Sequence, residues 1–281
     1  MNTNLPLAGQ DRHAACGSEA WADAAQVAAE NGLIPIEIAQ RLQVEYALGD
    51  LTPASASDAL RNALASGNSA DKALDAIAQA FDPADVIELR ACDPAVGGCL
   101  SCCGRPGDPE ERATLVDFIR RQNGHRNLYF GINPRRVDMA GTTQSASAAD
   151  VVARRMVVLD FDMKDAQPND PDWSSTLSLL REKANPLAVL NSGNGFHVWL
   201  PITPVFGADV SAATPALAET MAEIGADNMA DPPRIARVPY TLNLPTAAKS
   251  ARGAVVKVVV PCRSKPRKIM FCRMCQAFLV C

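Results

Sequence analysis

Apolar residues recur at helical spacing through the first 82 positions and give way to short, dense apolar runs after residue 85. Residues 20–30, 36–48 and 70–81 each carry the three-to-four-residue repeat of an amphipathic helix, separated by NGLIP and GDLTPASASD. Ser57 followed by Asp58 ahead of an apolar run predicts a helix start. Asp82-Pro83 marks a boundary, because the residue before a proline is pushed out of helical geometry. The expectation is a small helical accessory region over 1–82.

Beyond that boundary the pattern alternates. Residues 86–89, 128–132, 155–162, 187–190, 196–200 and 254–260 read as strands, and 110–122, 176–184 and 212–224 as helices. Asn123-Gly124 stops the first of these helices and Asn133-Pro134 stops the second strand. Strands interleaved with helices predict an α/β or α+β fold with a mixed sheet. The expected division is an accessory region over 1–82, a catalytic domain over 83–255 and a basic, cysteine-rich tail over 256–281.

Composition narrows the class. The chain has 281 residues, 48% hydrophobic and 21% charged, which excludes wholesale disorder and fibrous classes. No apolar run reaches the roughly 18 residues a membrane span needs. MNTNLPLAGQDRH has neither a basic nor an apolar stretch, so secretion is not expected and a cytoplasmic location is. The nine cysteines, an odd count, are then expected as thiols or metal ligands rather than a disulfide framework. Each cysteine group holds one C-x2-C, Cys99 with Cys102 and Cys272 with Cys275. Each supplies half of a zinc site, and reduced thiols are the default reading over zinc.

The net charge of −4 hides an asymmetry. Residues 246–281 carry eight Lys or Arg and no acid, so the 27 basic residues less those eight leave 19 against 31 acids elsewhere. A basic tail on an acidic body fits a local polyanion contact as well as a solvated tail.

Three segments carry candidate chemistry. In Met156-Val157-Val158-Leu159-Asp160-Phe161-Asp162 a strand's period of two sends Asp160 and Asp162 out of one face. Two such carboxylates repel unless a cation lies between them, and hard oxygen ligands suit Mg²⁺ or Mn²⁺. In Asn191-Ser192-Gly193-Asn194-Gly195-Phe196-His197 an Asn-Gly turn joins two strands, and small residues let backbone N–H groups approach a phosphate beside His197. In Asp231-Pro232-Pro233-Arg234-Ile235-Ala236-Arg237-Val238-Pro239-Tyr240-Thr241-Leu242-Asn243 an acid, two arginines and an amide share an extended segment. Taken singly, each also fits an ordinary element: an acidic strand end, a plain hairpin, a charged surface loop.

Taken together, in this order, the three segments resemble the archaeo-eukaryotic primase superfamily, and most closely its primase–polymerase branch of phages, plasmids and mobile elements. The resemblance runs from about residue 85 to 253 and includes Asn127-Leu128-Tyr129-Phe130-Gly131-Ile132-Asn133-Pro134. It implies an α+β primase core, an α/β lobe packed on a lobe like an RNA-recognition motif. It implies nucleotidyl transfer on a single-stranded DNA template from NTP or dNTP. Asp160, Asp162 and Asp231 would then hold two Mg²⁺ or Mn²⁺ ions. Ser192, Gly193, Asn194, Gly195, His197, Arg234, Arg237 and Asn243 would bind the nucleotide, with Arg135 or Arg136 on phosphate. Tyr240 departs from the family, which usually has glycine there, and so questions the shape of the loop before Asn243. No G-x-x-x-x-G-K-[ST] occurs, so a replicative helicase would be a separate partner.

Rival readings remain. A DxD phosphatase lacks its expected Thr after the acidic pair, and a D-x-K nuclease would use Asp162 with Lys164 but leaves the other two segments unexplained. A non-catalytic single-stranded-DNA-binding replication-initiation module is the rival from another class.

Overall fold

The computed structural model describes residues 16–162, 182 and 184–262. Four helices come first: α1 (Ser18–Glu30), α2 (Ile36–Leu48), α3 (Pro53–Ser66) and α4 (Ser69–Ala78). Then follow β1 (Ile87–Cys92), β2 (Cys99–Gly104), α5 (Pro109–Gln122), β3 (Asn127–Gly131), β4 (Ala153–Asp162), β5 (Ala188–Asn191) and β6 (Gly195–Phe206). The described chain closes with α6 (Asp209–Ala212), α7 (Thr214–Glu223), β7 (Ile235–Arg237), β8 (Leu242–Asn243), α8 (Ala247–Ser250), β9 (Lys257–Val258) and β10 (Val260–Pro261). Among the described residues no helix is long and apolar enough to cross a membrane.

The fold is α+β. One sheet has the order β2-β1-β3-β7, a second β10-β5-β6-β4, and β8 pairs with β9. Every named pairing is antiparallel, so the expected mixed sheet is corrected. The two larger sheets share one hydrophobic core with α4 and α5. There Phe130 of β3 meets Trp199 of β6 with ring centroids 4.9 Å apart. Helices α1 to α3 build a second core, closed by Leu242, Leu244, Val256 and Val258 around the β8–β9 pair.

Local chemistry explains most boundaries. Asp108 caps α5 by accepting from the amides of Glu110 and Glu111, and Asn123 and a left-handed Gly124 end it. Helix α3 starts earlier than Ser57. Thr52 and Ser55 form a reciprocal capping box with Pro53 at the first helical position, and Ser57 is buried inside the helix. Strand β2 was not expected, because CLSCCG lacks a clean apolar alternation. It pairs with all of β1 and so extends that strand to Cys92. The single strand expected over 254–260 splits into β9 and β10. Val259 between them donates to Thr241 O and accepts from Tyr240 N. Most of the expected helix over 176–184 lies outside the described residues.

Candidate active site

Strand β4 is buried from Met156 to Leu159, then surfaces: Asp160 is half-buried, Phe161 buried and Asp162 exposed. Its antiparallel partner β6 sets Asp160 opposite His197 and Asp162 opposite Gly195. His197 Nε2 lies 3.3 Å from Asp160 Oδ1. The imidazole is 5% exposed and its Nδ1 is buried without a hydrogen-bond partner. Gly195 is required by packing, since a Cβ there would stand 2.0 Å from the carbonyl oxygen of Phe161.

The loop before Gly195 turns at Gly193, whose φ of +93° is left-handed, rather than at the Asn-Gly pair. Gly193 N donates to Asn191 Oδ1 at 2.8 Å, and Ser192 N to Gly195 O at 2.9 Å. From outside the loop, Asn243 Nδ2 donates to Ser192 O at 2.7 Å and Lys257 Nζ to Gly193 O at 2.6 Å. Ser192 and Asn243 are thus buried parts of the loop's scaffold, while Asn194 is exposed. The sequence reading missed Lys257, which belongs to none of the three segments.

Arg237 of β7 stacks on Tyr129, its guanidinium carbon 4.4 Å from the ring centroid. Burial pulls its pKa down, while Tyr129 and the Asp160 carboxylate act the other way. Its Nη1 is buried without a hydrogen-bond partner. Strand β7 therefore sets a half-buried cation near the acid-bearing end of β4. Arg234 is different: it is exposed and pairs with Asp231 at 3.3 Å.

Asp231 itself is not brought to Asp160 and Asp162. Asp227 N donates to Asp160 O at 2.7 Å, so residue 227 sits beside the acidic end of β4. Ala230 O accepts from Arg154 Nη2 at 2.6 Å, which places residue 230 toward the start of the same strand. Arg154 and Asp160 are separated by about 20 Å of extended strand. The segment runs back along β4, and Asp231 ends near Arg154, whose charge it favours. The acid beside Asp160 is Asp227. No local pattern in the sequence marks it, because its place is set by a backbone hydrogen bond to another element.

Carboxylates from Asp160 and Asp162 leave one face of β4, and their hard oxygens fit Mg²⁺ or Mn²⁺. Among the described residues no three His, Cys, Asp or Glu side chains converge closely enough to hold an ion. Arg135 is not a phosphate ligand: it is fully buried and donates twice to Glu88, at 2.8 and 3.0 Å. Arg136 is taken up by Asp138 and Asp150. Zinc at Cys99 and Cys102 is corrected too. A spacing of three on a strand sends the two thiols to opposite faces; Cys99 is disulfide-bonded to Cys92 directly across the β1–β2 pair, and Cys102 is buried. The disulfide also corrects the expectation of thiols or metal ligands throughout. Cys272, Cys275 and Lys164 lie outside the described residues.

No protein-family model matches the chain, and no curated protein does. Solved structures do. Primase RepB′ is 16% identical with a TM-score of 0.44, over 70% of this chain and 57% of that one, so the chain spans little more than half of its length. The AEP domain of the cyanophage S-2L primase-polymerase is 16% identical, with a TM-score of 0.44 over 74% of this chain and 97% of that one. The catalytic domain of RepB′ in complex with initiator DNA is 15% identical, with a TM-score of 0.43 over 70% of this chain and 86% of that one.

Proposed function

We propose that the chain is a primase-type nucleotidyltransferase that makes or extends primers on single-stranded DNA during replication of a phage, plasmid or other mobile element. The observation that carries this reading is the pairing of β4 with β6. It sets two carboxylates on one face and a buried histidine, with an unpaired ring nitrogen, against the first of them. Asp160, Asp162 and Asp227 are the residues to hold Mg²⁺ or Mn²⁺. The ions would supply charge neutralisation and acidify the attacking 3′-OH.

The chain's own groups do the rest. His197 steadies Asp160 through Nε2, beside the place where the nucleotide's phosphates would lie. Arg237, held over the ring of Tyr129, adds a half-buried positive charge that favours a polyphosphate next to the acids. Asn243 and Lys257 hold the carbonyls of Ser192 and Gly193, which leaves the turn's backbone N–H at exposed Asn194 for an anion. Lys249 and Arg252 open the acid-free stretch that would track template phosphate. A helicase would act as a separate partner in the cytoplasm.

The test is direct: full-length protein, single-stranded DNA, NTPs or dNTPs and Mn²⁺ or Mg²⁺, with products sized on a gel. The expected result is template-dependent product, lost in Asp160→Asn. Absence of product with every nucleotide and metal pairing, or product that survives Asp160→Asn, overturns the reading.

A further inference from the structure

Arg154 sits at the start of β4, six residues from Asp160, and is 1% exposed. Its guanidinium group donates to three acceptors from three separate segments. Nε reaches Val210 O in α6 at 2.7 Å, while Nη2 reaches Thr214 Oγ1 at the start of α7 at 2.8 Å and Ala230 O at 2.6 Å. Among the described residues no carboxylate forms an ion pair with it. All three acceptors are neutral, so the buried charge is retained at a cost and must be set against what it holds.

What it holds is the segment that bears Asp227. Met229 and Ala230 are buried in the main core, and from Asp227 to Ala230 the chain has few other polar anchors: the amide of Asp227 on Asp160 O, that of Met229 on Met221 Sδ at 3.3 Å, and that of Ala230 on Asn228 Oδ1. The last is internal to the segment. Arg154 clamps the segment's final carbonyl and fixes both α6 and α7, the helices that lead into it. We infer that Arg154 is a positioning residue for Asp227. The strand that presents Asp160 and Asp162 at one end grips, with its other end, the segment that presents the third acid.

This inference rests on the nucleotidyltransferase reading, and its test separates the two. Arg154→Lys keeps the charge and three N–H donors but gives up the planar fork, whose Nε and Nη2 meet the three segments from two fixed positions. In full-length protein, Mn²⁺ affinity measured by calorimetry should fall about 10-fold or more, as loss of a group orienting a metal ligand does. Amides 227–230 should exchange faster with solvent while those of β1 and β3 do not. Turnover should fall in step with metal affinity, with KM for nucleotide within about twofold of wild type, since Arg154 is far from the nucleotide groups.

Unchanged Mn²⁺ affinity in folded Arg154→Lys overturns the inference, as does exchange that quickens throughout the core. If Arg154→Lys fails to fold, Thr214→Val removes one acceptor at constant size and should weaken Mn²⁺ binding about threefold, a fraction of the full effect. No change there also overturns it. Asp160→Asn that binds Mn²⁺ and makes product like wild type would defeat the reading itself, whatever Arg154 does.

Discussion

Asn243 donates its side-chain amide to Ser192 O at 2.7 Å, across 51 residues of sequence. Two of the three segments legible in the sequence are thereby tied to each other, but through a scaffold contact. Lys257 repeats the arrangement one residue further on, with Gly193 O. Both contacts turn loop carbonyls inward and so decide which way the loop's N–H groups face.

Asn243→Ala leaves a buried carbonyl without its donor. A loss of about 1–3 kcal/mol in stability is expected from the unpaired group. KM for nucleotide should rise more than turnover falls, because the loop loses its shape and the acids keep theirs. Chemical denaturation and steady-state kinetics on the same preparation check both; an unaltered KM would leave Asn243 with no part in the loop's function.

The two candidate third acids make opposite predictions. Asp227→Asn should abolish nucleotide incorporation with little effect on stability, because its carboxylate is exposed and its anchoring contact is a backbone one. Asp231→Asn should keep activity. It removes an exposed pair with Arg234 and a charge that favours buried Arg154, so the expected change is about 1 kcal/mol of stability or less. Product assays on the pair decide the matter, and inactive Asp231→Asn with active Asp227→Asn would reverse the assignment.

That assignment shows where the sequence stops informing. Asp160, Asp162 and His197 are legible because a strand's period of two and an antiparallel pairing fix their neighbours from spacing alone. Asp227 is not, because its place depends on a single backbone hydrogen bond and on Arg154 gripping Ala230 from another element. Cys99 with Cys102 reads as a chelating pair only while the segment is taken for a loop; once it is a strand, the spacing separates the thiols. Arg135 reads as a surface phosphate ligand until Glu88, 47 residues earlier, is known to be buried beside it. Long-range partners of this kind leave no local pattern.

Glu88 is fully buried and accepts from Arg90, Arg135 and the amide of Ala146. Glu88→Gln removes the charge and leaves the interior guanidinium of Arg135 uncompensated. About 3–5 kcal/mol of stability should be lost, as in other buried pairs broken on one side. Denaturant midpoints measure it, and a loss under 1 kcal/mol would show that water reaches Arg135.

Cys103 lies against the same charge. Burial, then the negative charge of Glu88, pushes its thiol up to about 11 from an ordinary value of 9.0. A raised pKa favours the neutral thiol in the folded state, so its contribution is whole below pH 9 and is lost as pH rises towards 11. Wild type should therefore lose stability between those values faster than Cys103→Ala. Parallel pH slopes for the two proteins would remove the effect.

Tyr240 adopts a φ of +61°, the left-handed conformation that glycine takes most easily. An L side chain there carries strain of roughly 1–2 kcal/mol. Two contacts hold it there. Tyr240 N donates to Val259 O at 2.7 Å, and the ring packs against both hydrophobic cores. Tyr240→Phe should be nearly neutral, because ring and backbone are kept. Tyr240→Gly removes the strain but also the ring, and a net loss of about 1–2 kcal/mol is expected as burial outweighs strain. Tyr240→Val loses most of the packing and adds a β-branched residue where that φ is hardest to reach, so it should be the least stable of the three. Denaturation midpoints in the order Phe, Gly, Val check the argument. Tyr240→Val at or above Tyr240→Gly would mean that residue 240 does not hold a left-handed backbone in solution.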